Sequence, residues 1–221
     1  MTHDSVRNRR SIRLQGYDYA QAGAYFVSIC TQNRACLFGE IVAGEMRLND
    51  TGRIVADEWV KTAEIRSEIA LDEWVLMPNH FHGIIVIVDG RGAAHPDRGT
   101  ARRAPTVERF GCPISGSIPT IVRSFKSAAT KRINEMHQSP GMKLWQRNYW
   151  EHIVRNEPEL HRIREYIRNN PTQWELDALH PGVGTARPGR GTARRAPTEI
   201  REPSETYGRS VPCSNNEAWM I

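Results

Sequence analysis

The sequence predicts a mixed α/β (α+β) protein, one domain followed by a tail, and three observations carry that expectation. β-rich apolar runs such as "AYFVSICTQ" (24–32) alternate with stretches whose apolar residues recur at helical spacing. The run "HFHGIIVIVD" (80–89) is apolar at both parities, as a central strand covered on both faces is. At 221 residues the chain is long enough for one good core or two small ones.

The elements follow in order. "CLFGEIVAGEMRLN" (36–49) reads as two short strands around an Ala-Gly turn. Asn49 or Asp50 then caps a helix over Thr51 to Arg66, with Ile54, Val55, Trp59, Val60 and Ala63 as its apolar stripe. "ALDEWVLMP" (70–78) and the 80–89 run are strands joined through Pro78-Asn79. A second helix has Ser117 as cap and Pro119 in its first turn. Its stripe is Ile118, Ile121, Val122, Phe125, Ala129, Ile133 and Met136, with Arg123, Lys126, Thr130 and Asn134 off it. "YWEHIVRN" (149–156) is a further strand. Pro158 opens a last helix that turns Leu160, Ile163 and Ile167 inward and stops near Pro171.

Two stretches break this pattern. Residues 89–117 are rich in Gly, Pro and Arg and are expected to form a long mobile loop. The same composition returns at 178, so residues 1–177 are read as the domain and 178–221 as a disordered Arg/Pro/Gly-rich tail. "RGTARRAPT" occurs at 98–106 and again at 190–198. It reads either as an insertion into two tolerant places or as a pair of arginine-rich arms that brush a phosphate backbone.

Composition excludes some classes. No stretch approaches the roughly 18 apolar residues of a membrane span. The start, "MTHDSVRNRRSIRLQGYDY", has no apolar core and does not read as a signal peptide. Cys30, Cys36, Cys112 and Cys213 form no C-x-x-C and read as reduced thiols of a cytosolic protein, not as a zinc site. Lys plus Arg number 30 against 25 Asp plus Glu, a net charge of +5, which leans only mildly toward a polyanion.

"MPNHFHGIIVI" (77–87) sets two histidines one residue apart at the exposed mouth of a strand. Residues i and i+2 share a face, so His80 and His82 can aim both imidazoles at one point. The spacing alone is weak evidence for a metal site, the other reading being two half-exposed histidines at a strand end.

This stretch resembles the histidine–hydrophobe–histidine motif of the HUH single-strand endonucleases. It looks particularly like the IS200-type single-tyrosine transposases and their REP-associated branch. "IVRSFKSAATKRIN" (121–134), "LWQRNYWEHIVRNEPEL" (144–160) and "IREYIRNNP" (163–171) match that branch in the same order. Together the blocks cover roughly residues 10 to 175.

The resemblance implies an antiparallel RRM/ferredoxin-like sheet flanked by helices, of the HUH endonuclease type. It implies Tyr166 as nucleophile, and His80, His82 and Asn170 as ligands of Mg2+ or Mn2+. Asn170 stands where the IS200 group has glutamine. Residues four apart share a helix face, although a following proline disfavours α geometry at Asn170. The implied reaction is nicking and strand transfer of single-stranded, hairpin-bearing DNA through a 5′-phosphotyrosine with a free 3′-OH. The implied setting is a bacterial, cytoplasmic, nucleoid-associated protein, acting as a monomer or alternatively a dimer, with no membrane partner.

On the residues alone, Tyr166 is also a half-buried aromatic flanking the Ile163/Ile167 stripe. Tyr149 is the rival nucleophile. Arg9, Arg10 and Arg13, with Arg123, Lys126 and Lys131 on the middle helix, are candidate phosphate contacts. Trp145, Tyr149 and Trp150 either stack on unpaired bases or pack in the core. Two other functions fit the residues: a catalytically silent hairpin-DNA-binding protein, and a phosphodiesterase using His80, His82 and water.

Overall fold

The computed structural model describes residues 17–88 and 114–181. Arg9, Arg10, Arg13 and both copies of the repeated segment lie outside the described residues, as do residues 89–113 of the predicted loop and 182–221 of the predicted tail.

The elements are β1 (Gly23–Cys30), β2 (Gly39–Val42), β3 (Glu45–Leu48), α1 (Asp50–Glu64), β4 (Ile69–Met77), β5 (His80–Ile87), α2 (Ile118–Met136), β6 (Trp150–Val154) and α3 (Glu157–Asn169). Two 3-10 turns, Gln32–Arg34 and Pro171–Leu176, complete them. Four strands form one sheet in the order β4-β5-β1-β6, and every neighbouring pair is antiparallel. Setting the β2-β3 hairpin aside, this is the β-α-β-β-α-β order of ferredoxin-like sheets. The expected mixed fold is therefore the observed one. Among the described helices, none is long and apolar enough to cross a membrane.

Local signals explain the element ends. Ala43 and Gly44 both take positive φ, 54° and 80°, which gives the hairpin a turn matched to strand twist. Asn49, not Asp50, caps α1, its side chain accepting from the Gly52 amide at 2.9 Å. Asn156 does the same for α3 through the Glu159 amide, with Pro158 in the first turn as expected. Ser117 precedes α2 but turns its hydroxyl back to donate to the Ile114 carbonyl at 2.7 Å.

The sheet buries both faces, which is why β5 reads as apolar at both parities. On one face Tyr25, Val27 and Ile29 of β1 and Phe81, Ile85 and Ile87 of β5 pack against α1 and α2. On the other, Phe26 and Ile84 meet Ile163 and Ile167 of α3. Each such fully buried apolar side chain contributes about 1.5–3 kcal/mol. Gly83 lies under the first face, where an added Cβ would stand 2.8 Å from the Phe81 ring and 2.9 Å from Trp59.

Two stripe assignments fail. Val60 is 45% exposed, while Thr51 and Thr62 are buried with Val55 and Trp59. The buried face of α1 is centred on Val55 and Trp59, and Val60 sits about 100° past Trp59. Met136, in the last turn of α2, is 41% exposed.

Candidate active site

The turn between β4 and β5 builds half of the site. Asn79 is 1% exposed, and its Nδ2 donates to the carbonyls of Arg34 (3.2 Å) and Leu179 (2.8 Å). Those two bonds orient the amide so that Oδ1 faces His80 Nδ1 at 2.8 Å. His80 must then donate from Nδ1, which leaves Nε2 with a bare lone pair. That Nε2 is buried without a hydrogen-bond partner.

His82, two residues on, shares the α3 face of the sheet. Its Nε2 stands 3.2 Å from the Tyr166 hydroxyl, and its Nδ1 is buried and unpartnered. The two imidazole rings lie 4.6 Å apart. At 0% and 1% exposure the pair is not at an exposed strand mouth, contrary to the sequence reading. Helix α3 and the segment after it cover both rings, with Trp174 6.0 Å from His80.

Tyr166 is half-buried, as one of its two sequence readings expects. It flanks the buried Ile163/Ile167 stripe, with Phe26 edge-on at 6.1 Å, and it turns its hydroxyl to the histidines. Asn170 keeps helical angles (φ −59°, ψ −43°) despite the following proline. It therefore stays on the Tyr166 face, 4% exposed, with Oδ1 buried and unpartnered.

A fourth polar group joins them. Asp177 Oδ2 lies 3.5 Å from His80 Nε2, is buried and makes no hydrogen bond. One ligand atom each from His80, His82 and Asp177 lies within 4.8 Å of the others. Sequence reading missed Asp177, because "ELDALH" carries no motif and the aspartate ends the predicted domain. The chain past it, assigned to a tail from 178, packs here through the Leu179 and Ala178 carbonyls, the latter 3.4 Å from Arg34 Nη1.

Burial dominates the electrostatics. It holds His80 neutral, down to about 3, with the neighbouring Asn170 amide pulling weakly the other way and Arg34 adding to the fall. His82 is held well below its ordinary value by burial and by His80, against the opposing pull of Asp177. Burial and then Asp177 push the Tyr166 phenol up, while Asn170 opposes them. The site thus gathers two neutral imidazoles, an amide and a carboxylate around four unpartnered atoms. Unpaired buried polar atoms are costly, and this set of N and O donors fits a divalent cation.

Two ion pairs fasten α3. Arg164 grips the Asp72 carboxylate with Nε at 3.0 Å and Nη2 at 2.6 Å. Arg168 Nε donates to Glu73 at 2.9 Å. Both acids sit where β4 breaks register against β5, between Leu71 and Trp74, and the irregularity offers two successive carboxylates to the helix.

The other candidates fall elsewhere. Tyr149 packs against the core on the opposite face, and its hydroxyl donates to Glu151 at 2.6 Å. It cannot reach the histidines. Trp145 is 6% exposed between Phe38 and Phe125, so its ring is core and not a stacking platform. Trp150 lies on the α3 face, stacked on His152 at 5.6 Å. Arg123 and Lys131 are exposed on α2. Lys126 is engaged by the protein itself, donating to the carbonyls of Gln146 (2.7 Å) and Arg147 (3.2 Å).

The family model described as "Transposase IS200 like" matches residues 110–170, a span that holds both Tyr166 and Asn170. An uncharacterized protein of Haemophilus influenzae (strain Rd) is 38% identical over 186 residues, covering 79% of this chain and 94% of that protein. The chain belongs to the IS200-like transposase family. A solved structure of a REP-associated tyrosine transposase bound to a REP hairpin is similar at 18% identity and a TM-score of 0.48, over 74% of each chain.

Proposed function

We propose that this protein nicks single-stranded DNA and transfers the cut strand through a 5′-phosphotyrosine on Tyr166, acting as a monomer on REP-like hairpins. One observation carries the reading: the Tyr166 hydroxyl meets Nε2 of His82, one of the paired histidines of a distant strand, at 3.2 Å. The hairpin substrate rests on the four sequence blocks resembling the REP-associated branch.

His80 Nε2, His82 Nδ1, Asn170 Oδ1 and Asp177 Oδ2 are the atoms that would hold a cation, Mg2+ or Mn2+. When bound, the ion supplies the positive charge that polarises a scissile phosphodiester. Asp177 adds the negative charge and hard oxygen that two imidazoles lack, and so brings the donor set closer to what such ions prefer.

The chain's own groups handle the nucleophile. A neutral imidazole carries one proton, so a cation held at His82 Nδ1 would leave that proton on Nε2. In that tautomer Nε2–H would donate to the Tyr166 oxygen, 3.2 Å away, and stabilise its phenolate against the burial that disfavours it. The oxygen bonds to phosphorus and the P–O3′ bond breaks. The phenol proton is lost to water and the departing 3′ oxygen takes one up. The ester keeps the energy of the broken phosphodiester, so a new 3′-OH can reverse the step without ATP.

The test is a labelled REP-like hairpin oligonucleotide incubated with the protein and Mn2+. A denaturation-resistant adduct is expected, and Tyr166→Phe should abolish it. An undiminished adduct in that variant would sink the reading. Cleavage without adduct would point to water as the nucleophile, and binding without cleavage to a silent hairpin binder.

A further inference from the structure

Among the described arginines, Arg34, Arg66, Arg132 and Arg164 are half-buried. Arg132 and Arg164 hold carboxylates, and Arg66 bonds the Thr62 carbonyl of its own helix. Arg34, in the 3-10 turn after β1, makes no ion pair among the described residues. Its guanidinium reaches the Ala178 carbonyl, with Nη1 at 3.4 Å. A long bond from a full charge to a neutral oxygen is readily exchanged for one to an anion.

The backbone holds that charge in place at a cost. Asn33 and Arg34 both lie in the left-handed region, at φ 57° and 56°. Asparagine tolerates this conformation, whereas an arginine in it costs about 1–2 kcal/mol and glycine would avoid the cost. Strain of this kind gathers where function fixes a side chain.

The turn meets the site at two points. The Arg34 carbonyl accepts from Asn79, the residue that orients His80. The Arg34 guanidinium bonds the residue next to Asp177, whose Oδ2 lies 3.5 Å from His80 Nε2. Its charge is felt at His80, where it adds to the effect of burial in keeping the ring neutral. A permanent cation thus stands beside the unpartnered cluster, and its planar fork matches phosphate oxygens.

We propose that Arg34 is a catalytic residue that leaves the Ala178 carbonyl and donates to a non-bridging oxygen of the scissile phosphodiester. There it stabilises the charge that builds as the Tyr166 oxygen bonds to phosphorus and the P–O3′ bond breaks. Arg34 stays protonated throughout, so it transfers no proton and the balance of the step is unchanged. The proposal rests on the nicking reading above and adds to it a group that reads the charge of the substrate.

The experiment measures single-turnover adduct formation by the full-length parent and Arg34→Gln on a saturating hairpin oligonucleotide with Mn2+. Glutamine keeps a donor for the Ala178 carbonyl and removes the charge. The rate should fall at least about 100-fold, the usual loss for a donor aimed at developing charge. Mn2+ affinity by calorimetry should be no weaker than the parent's. A second oligonucleotide carries an uncharged methylphosphonate at the linkage the parent cuts, and on it the two proteins should react at the same rate. Arg34→Lys, which restores the charge without the fork, should recover part of the loss. An undiminished rate in Arg34→Gln overturns the proposal. So does an equal loss on both linkages, or a matching loss of Mn2+ affinity, since either would make Arg34 a clasp for the Asp177 segment. Should the neutral linkage resist both proteins, Arg34→Lys decides: recovery upholds the proposal and its absence overturns it. All these outcomes leave the nicking reading standing, because the parent forms its adduct. A parent that forms none on any hairpin overturns that reading and the proposal with it.

Discussion

The Tyr166 hydroxyl stands 3.2 Å from Nε2 of His82, across 84 positions of chain. Helix α3 lies on the sheet face that carries the even-numbered side chains of β5, and that placement makes the meeting. His82 consequently presents one nitrogen to the Tyr166 hydroxyl and keeps the other, Nδ1, buried and unpartnered. In the proposed reaction, binding at the cluster and ionisation at the phenol would be coupled through that one ring.

Asp177→Asn tests the carboxylate. It keeps the shape and removes the charge, so Mn2+ affinity by titration calorimetry should fall at least tenfold. The folded state should be retained, since Asp177 Oδ2 makes no hydrogen bond. Unchanged affinity would remove Asp177 from the site.

Asn79→Ala tests the orientation of His80. Groups that fix a ligand imidazole are typically worth about 10–100-fold in metal affinity. A loss in that range is expected from calorimetry, with the adduct rate falling in step. Full affinity would mean that burial alone holds the ring.

Acid sensitivity follows from the buried rings. Burial holds His80 down to about 3, whereas an unfolded histidine titrates near 6.5. In chelator, the unfolded state takes up the proton first as pH falls below 6.5. Stability should then be flat above that value and decline toward pH 3, by about 1.4 kcal/mol per pH unit for each such histidine. Urea midpoints at pH 7.5 and 5.0 measure this, and His80→Asn should flatten the difference. Identical midpoints for the parent protein would contradict it.

The Arg164–Asp72 pair predicts a positioning effect. A double-mutant cycle with Arg164→Ala and Asp72→Ala should give a coupling of about 1 kcal/mol, and either variant should slow adduct formation. The Arg164 bond, together with the Glu73 amide, holds the Asp72 carboxyl below its ordinary range against the opposing cost of burial. Its contribution is therefore present above about pH 3.9 and lost as pH falls through that depressed value. Zero coupling would mean that α3 is held by its apolar stripe alone.

Gly83→Ala should destabilise the fold by about 1–3 kcal/mol, because its Cβ would meet the Phe81 and Trp59 rings inside 3 Å. Thermal unfolding checks this. A neutral result would show that the two rings can give way.

Much of this was legible beforehand. Helical and strand periodicity placed all the larger elements, and apolar residues at both parities of β5 announced a sheet covered on both faces. The spacing of His80 and His82, and of Tyr166 and Asn170, put each pair on one face. Val60 was misplaced because its neighbours look equally apolar in sequence, and only the angle at which α1 meets the sheet separates them. Lys126 was read as a phosphate contact because a charged residue off a stripe looks solvated. The carbonyls that hold it come from a segment 20 positions away.

The sequence by itself determined which side chains share a face, because that depends on backbone geometry within a few residues. Only the tertiary structure brought Asp177 to His80, set the His80 tautomer through Asn79, and buried a pair that looked exposed. Those outcomes depend on through-space convergence of segments far apart in the chain. Local periodicity carries no record of that convergence.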